Sequence, residues 1–225
     1  MLLINPPLCK PSEPPAALAY LAGALRAHGH PCTVCDMSIE SLHSLLRTAQ
    51  PAADTWSRRA FRDLPGNIAA LRAPALYHAR SRYRRAVADI NRVLEIAGHS
   101  HGLQLSLANY QDPIRSPLQS TDLYRAATDY RQNIFFPYFR ERLEALLQEN
   151  ACPYIGFSLN YLSQALCTFA MLGYLRDHHP GRRIILGGGL ITTWLSAPHR
   201  PANPFPGLVG HCIGGRGEVP LLRLF

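Results

Sequence analysis

Four short stretches of this 225-residue chain carry residue types suited to holding a ligand. They are Asn5-Pro6-Pro7-Leu8, Ser158-Leu159-Asn160-Tyr161, Gly187-Gly188-Gly189 and Gly215-Arg216-Gly217-Glu218. Each lies at or close behind the end of a short apolar run: Leu2-Leu3-Ile4, Tyr154-Ile155-Gly156-Phe157, Ile184-Ile185-Leu186 and Leu208 to Ile213. Apolar runs of that length, ending in Ser or Gly, describe buried parallel strands whose C-terminal ends share one edge. In open α/β sheets that edge is where ligands bind. Glycine there lets the backbone approach a ligand with no Cβ in between. Each stretch also has a plainer role. Ser158 suits the cap of a following helix, the three glycines suit a turn, and Gly215 to Glu218 suits any anion-binding strand-to-helix turn. No catalytic residue and no metal ligand is assigned.

Other reactive residues fit solvated or structural positions. His99-Ser100-His101 reads as a loop, and His178-His179 as a helix C-terminus, where a cationic histidine is favoured. Arg80, Arg82, Arg84 and Arg85 read as a solvated helix face. Tyr110, Tyr124, Tyr130, Phe135, Phe136, Tyr138 and Phe139 read mostly as core.

The elements that must position the four stretches follow from periodicity. Leu18, Leu21, Ala22 and Leu25 recur at helical steps, so a helix is expected from Pro15 to His28. Cys32 to Asp36 is a second strand, and strand, helix, strand in so few residues is a βαβ unit. Residues 38–150 break the rhythm. Helices are expected over 39–48, 76–97, 124–130 and 135–148, with an extra strand over 103–108. Pro51, Pro65-Gly66, Pro74, Pro113 and Pro117 are read as punctuation. This is a mostly helical insertion, expected to pack over the C-terminal edge. Strand, helix over 162–178, strand, loop and strand then resume. The fold expected is α/β: a Rossmann-like (flavodoxin-like), doubly wound, five-stranded parallel sheet in the order 2-1-3-4-5. One domain is expected over 1–225. Glu218 opens a helix that the chain leaves short, so a further domain is expected beyond Phe225.

The composition is globular, with 47% hydrophobic and 17% charged residues and a net charge of +8. Lys10 is the only lysine. The arginines are scattered, with no long run, which argues against a nucleic-acid partner. No stretch is apolar for long enough to span a membrane, and Met1 to Ile4 lacks the basic region of a signal peptide. Six cysteines without a secretory signal read as reduced thiols in the cytoplasm.

The ordered set resembles the N-terminal cobalamin (vitamin B12)-binding domain of cobalamin-dependent radical S-adenosylmethionine enzymes. Ile4-Asn5-Pro6-Pro7 with Pro15 to Gly29 resembles the opening strand, loop and helix. Ile155 to Asn160 resembles the Gly-x-Ser strand end, and Ile185 to Gly189 the Gly-Gly strand end. Gly215-Arg216-Gly217-Glu218 resembles the Gly-Glu-Gly-Glu turn, with Arg216 in place of the first Glu. The match covers about residues 1–37 and 151–225. The resemblance implies a corrin lying over the C-terminal strand ends, with its nucleotide tail inserted beside the sheet. Pro6, Pro7, Leu8 and Tyr161 would form its floor, and Gly187 to Gly189 would leave the slot for the tail. Ser158 and backbone N–H groups near Glu218 would donate to its polar groups. Leu159, Asn160, Gly215, Arg216 and Gly217 complete the expected contacts.

Two departures qualify this. The loop from Asn5 to Glu13 has no histidine, so cobalt would lack an imidazole from it; Cys9 is its only soft donor. The Cys-x-x-x-Cys-x-x-Cys motif of the radical enzymes is absent. His28, Cys32 and Cys35 copy only its spacing, across a helix end and a strand. The iron–sulfur cluster, S-adenosylmethionine and methyl transfer are therefore expected in the domain beyond Phe225. The alternative is a non-catalytic α/β domain that binds or senses another small ligand, such as a nucleotide. A dinucleotide fold would need Gly-x-Gly-x-x-Gly where Asn5-Pro6-Pro7 stands. A phosphorelay receiver would need an acidic cluster after the first strand.

Overall fold

The computed structural model describes residues 1–51, 53–151, 153–198 and 201–225. Its centre is β1 (Leu2–Asn5), four buried residues with β2 (Thr33–Asp36) parallel on one side and β5 (Tyr154–Ser158) parallel on the other. Then come β6 (Arg183–Gly187) and β7 (His211–Ile213), giving the order β2-β1-β5-β6-β7. With the strands renumbered inside the sheet this is 2-1-3-4-5, all parallel, as expected. Asn5 ends β1 because Pro6 and Pro7 cannot donate to a ladder.

Alternation along β1 divides the core. Leu2 and Ile4 join the larger apolar cluster, while Met1 and Leu3 join a smaller one on the opposite face. The smaller face is covered by α1 (Ala16–Ala27) and α10 (Glu218–Leu222), which pack together. Leu18, Ala22 and Leu25 of α1 are buried there, as their spacing predicts. The larger face carries α2 (Met37–Thr48) and α8 (Leu162–His178). Twelve of the seventeen residues of α8 are buried, so it is a core helix wrapped on all sides. Asp36 caps α2 by accepting from the Ser38 and Ile39 N–H groups.

The insertion is mainly helical. It holds α3 (Thr55–Leu71), α4 (Pro74–Tyr77), α5 (Arg80–His99), α6 (Ser120–Thr128), a 3-10 turn (Tyr130–Gln132) and α7 (Phe136–Glu149). The extra strand is a small antiparallel hairpin of β3 (Gln104–Leu105) and β4 (Tyr110–Gln111). Its docking differs from the expectation of a cover over the C-terminal edge. The insertion packs mainly along α8 and α2, on one face of the sheet. The Ala127 carbonyl of α6 lies where a Cβ on Gly173 of α8 would stand. Phe136 and Phe139 of α7 meet the Tyr174 ring edge-on. Tyr138 and Arg142 donate to Glu40 of α2 at 2.8 Å each. The reason is area: α8 is apolar all round, and the stripes of α6 and α7 can only be buried against it.

Three local readings change. α3 continues through Pro65-Gly66, where the sequence predicts a break. A further helix on the sheet, α9 (Gly189–Leu195), stands where a loop is expected. Leu208 and Val209 are buried, but the strand proper begins at His211. No helix among the described residues is long and apolar enough to cross a membrane. The five described cysteines form no disulfide among themselves; Cys152 lies outside the described residues.

Candidate ligand site at the strand ends

A cavity of about 270 Å³ lies between the smaller face of the sheet and the helices α1 and α10. It runs from Met1 and Leu3 to the turn Gly215–Glu218 after β7. Its walls are Leu18 and Leu21 of α1, Ile185 and Ile213 of the sheet, and Leu221 of α10. Part of the void is the space that Gly187, with no side chain, leaves on this face. A Cβ on Gly187 would point past the Ile213 carbonyl at 3.4 Å, an ordinary contact. Gly217 sits 3.2 Å from Leu21 by the same construction, so the helix start is held close to α1.

The structure brings seven of the fifteen expected contacts to this cavity: Ser158, Gly187, Gly188, Gly215, Arg216, Gly217 and Glu218. Ser158 is buried, and its hydroxyl accepts from Asn160 Nδ2 at 3.1 Å. Gly215 has φ +74° and donates its N–H to Thr192 Oγ1 at 2.9 Å. Arg216 is exposed at the mouth, and its guanidinium has no hydrogen bond or ion pair among the described residues.

The glycine triplet divides by role. Gly188 has φ +110°, and a Cβ there would overlap the Leu159 backbone. That contact is internal: Leu159 N–H donates to the Gly187 carbonyl at 2.7 Å and Leu190 N–H to the Leu159 carbonyl at 3.2 Å. Gly189 opens α9, and its N–H is taken by Asn160 Oδ1 at 2.9 Å. So Gly188 and Gly189 clamp the ends of β5 and β6 together, and Gly187 alone of the three leaves space on the cavity side.

The remaining expected contacts lie elsewhere. Pro6, Pro7, Leu8 and Leu159 are buried. Asn5 is buried at the centre of a hydrogen-bond set: its Nδ2 donates to Asp36 Oδ1 at 2.8 Å, and its Oδ1 accepts from Gln164 Nε2 at 3.0 Å. Gln164 Oε1 in turn accepts from the Asn160 and Tyr161 N–H groups. This set ties the ends of β1, β2 and β5, so the Asn-Pro-Pro loop is a structural knot. Tyr161 is 46% exposed and donates to Glu13 at 2.7 Å. The exposed apolar side chains around this edge are Tyr161, Leu162, Tyr20 and Val219.

The α1 wall of the cavity, with Tyr20 and Leu21, escaped the sequence reading, as did Gly156. Gly156 lines the cavity, although Met1 and Leu3 fill the place of its missing side chain.

Three of the described thiols are held protonated. Burial, reinforced by Glu40, pushes the Cys35 thiol up to about 12. Burial does the same at Cys167 and drives Cys212 to about 11. Cys9 is buried and bonded to Asn5 and Ser38. Cys35 belongs to the larger core cluster and Cys32 to the smaller face. No group of three or more His, Cys, Asp or Glu among the described residues is placed to hold a metal ion.

No protein-family model matches the chain, and no curated protein or solved structure matches it significantly.

Proposed function

We propose that this domain binds cobalamin at the C-terminal edge of its sheet, with the nucleotide tail in the cavity between the sheet and α1/α10. The observation that carries the reading is that cavity, with Gly187 on its sheet side and the Gly215–Glu218 turn at its mouth. At about 270 Å³ it lies just under the roughly 300–1,000 Å³ of drug-sized pockets. That suits a heterocycle with its sugar and does not suit a whole corrinoid. The ring would therefore lie outside, on the exposed Tyr161, Leu162, Tyr20 and Val219, since Pro6, Pro7 and Leu8 are covered. Bound cobalamin supplies a cobalt centre able to carry a methyl group. This chain's part is to hold it without a histidine from the first loop. An iron–sulfur cluster, S-adenosylmethionine and the methyl transfer itself would belong to a further domain.

Titration of the purified chain with hydroxocobalamin tests the reading. Binding should give the absorbance spectrum of cobalamin whose dimethylbenzimidazole has left cobalt. Cobinamide, which lacks the tail, should bind at least ten-fold more weakly. Gly187→Leu should remove that preference and leave the fold intact. Equal binding of the two corrinoids, or no spectral change at a hundred-micromolar ligand (order of magnitude, a weak-binding limit of about 5 kcal/mol), counts against it. The same cavity accommodates a mononucleotide alone, with Arg216 at the mouth. Calorimetric binding of a nucleotide without any of a corrinoid would establish that second reading.

A further inference from the structure

The scattered arginines of the sequence are not scattered in space. Residues 55–99 hold nine arginines against three carboxylates, Asp63, Asp89 and Glu95, which is six of the chain's eight net positive charges. These residues form one helical hairpin: α3 and α5 make the largest helix–helix contact of the chain, and α4 turns between them. The direction is antiparallel. Trp56 and Arg59 near the start of α3 reach Asp89 well along α5, while Tyr77 donates back to the Leu71 carbonyl at 2.8 Å.

Three arginines of the hairpin are used internally. Arg59 pairs with the buried Asp89, Arg62 with Asp63, and Arg92 with Asp54 and Glu95. Five others, Arg58, Arg80, Arg82, Arg84 and Arg85, are exposed, and their guanidinium groups make no hydrogen bond or ion pair among the described residues. Among the described residues the Arg72 guanidinium reaches His43 and no carboxylate. Burial lowers the proton affinity of His43, and the charges of Arg72 and Arg47 lower it further, so the positive field extends to α2. Set among these arginines are exposed aromatics. Tyr77 is 60% exposed and Tyr83 37%, with ring centroids 5.6 Å apart, and Trp56 is 44% exposed.

We propose that the α3–α5 hairpin is a binding surface for single-stranded nucleic acid. The arginines would contact phosphates and the Tyr77–Tyr83 pair would stack on bases. Arginine is the residue for this task, since its planar fork matches phosphate and its face stacks on bases. Cations uncompensated by the protein release counterions when phosphate replaces them. Exposed rings give a base a platform that an acidic peptide does not need. This inference is independent of the strand-end cavity.

Fluorescence anisotropy of a labelled 20-nucleotide single strand tests it, with the whole chain and a salt series. Binding should weaken steeply with salt. The triple variant Arg82→Glu/Arg84→Glu/Arg85→Glu should bind at least ten-fold more weakly, with a log–log salt slope smaller by about 2, because each phosphate contact on a single strand contributes roughly 0.7. Tyr83→Ala keeps every charge and should still lose about five-fold or more, the lower end of base stacking. Circular dichroism should show both variants folded; the three arginine side chains make no hydrogen bond or ion pair among the described residues, and Tyr83 gives up only its contact with the Tyr77 ring. Absence of oligonucleotide binding overturns the proposal, as does wild-type affinity in the triple variant. Loss in the triple variant with none in Tyr83→Ala, together with equal binding of polyglutamate or of anionic phosphatidylserine vesicles, also overturns it. The surface would then be a general polyanion site.

Discussion

On one face of the sheet α8 is buried on nearly every side, and the insertion adds a second shell around it. On the other, α1 and α10 are the cover among the described residues, and a cavity of about 270 Å³ remains between them and the strands. Both faces use glycine, for opposite ends. On the packed face Gly173 lets the Ala127 backbone close onto α8. On the open face Gly187 has only an ordinary contact beside it. A glycine is thus a ligand-site signal only where its missing side chain leaves a void rather than admitting another part of the protein.

The largest break in this comparison should come from the packed face. Gly173→Ala puts a methyl into the Ala127 carbonyl, backbone against backbone, and neither helix can yield without moving its neighbours. A loss of about 3 kcal/mol or more is expected, beyond most overpacking substitutions. Gly188→Ala should follow at about 2–3 kcal/mol, because φ +110° is a glycine conformation and the Leu159 backbone stands behind it. Urea melts of both variants measure these losses. A Gly173→Ala protein as stable as the parent would show that the α6–α8 contact is loose. Gly188 is accordingly a poor place for a blocking substitution, since a larger residue there would damage the fold before it met a ligand.

Much of the fold could be read from the chain because its signals are local. Short apolar runs ending in Pro, Ser or Gly located four of the five sheet strands, the βαβ spacing located β2, and the α1 stripe of Leu18, Ala22 and Leu25 faces the core. Where long-range packing outweighs local preference, the reading failed. Pro65 inside a helix costs roughly 3 kcal/mol, yet α3 runs through it. Asp54 caps its start through the Ser57 N–H, and Ala60 and Leu64 are buried on the side that meets α5. Leu208 and Val209 looked like strand, but they are buried beside the ladder and only Gly210 N–H reaches Ile184. At the site, the glycine-rich strand ends were visible as motifs. The α1 wall was not, because helical periodicity says which residues face the sheet and not which of them leave a gap. The Asn5-Pro6-Pro7-Leu8 stretch looked like a surface, whereas the Asn5–Gln164–Asp36 hydrogen bonds draw it inside.

The packed face should also carry an acid-sensitive joint. Glu40 on α2 holds α7 through Arg142 and Tyr138. Burial alone would raise its carboxyl pKa, but hydrogen bonds from Arg142 and Tyr138 outweigh that and hold it below the ordinary value. A carboxyl lowered in the folded state contributes stability fully above its unfolded pKa, and loses it as pH falls through the folded one. Glu40→Gln should cost about 1 kcal/mol near neutrality, modest because the side chain is part exposed. The gap between parent and variant should close as pH is lowered from about 6 toward 3. A gap that stays constant over that range would mean that Glu40 acts by packing and not by charge.

Gly187→Ala should show the smallest stability effect and therefore sharpens the comparison most. Its Cβ would stand 3.4 Å from the Ile213 carbonyl and 3.9 Å from the Ile213 Cβ, both ordinary distances. Glycine inside a strand is disfavoured relative to alanine by roughly 0.5–1 kcal/mol, so the variant should be as stable as the parent or slightly more so. The adjacent position, Gly188, should behave oppositely under the same substitution. Two neighbouring glycines with opposite responses in one urea series would separate the clamp from the slot. A loss of more than about 1 kcal/mol at Gly187 would place it with the packing glycines. The cavity would then be left without its glycine wall, and the case for a ligand tail there would rest on the Gly215–Glu218 turn alone.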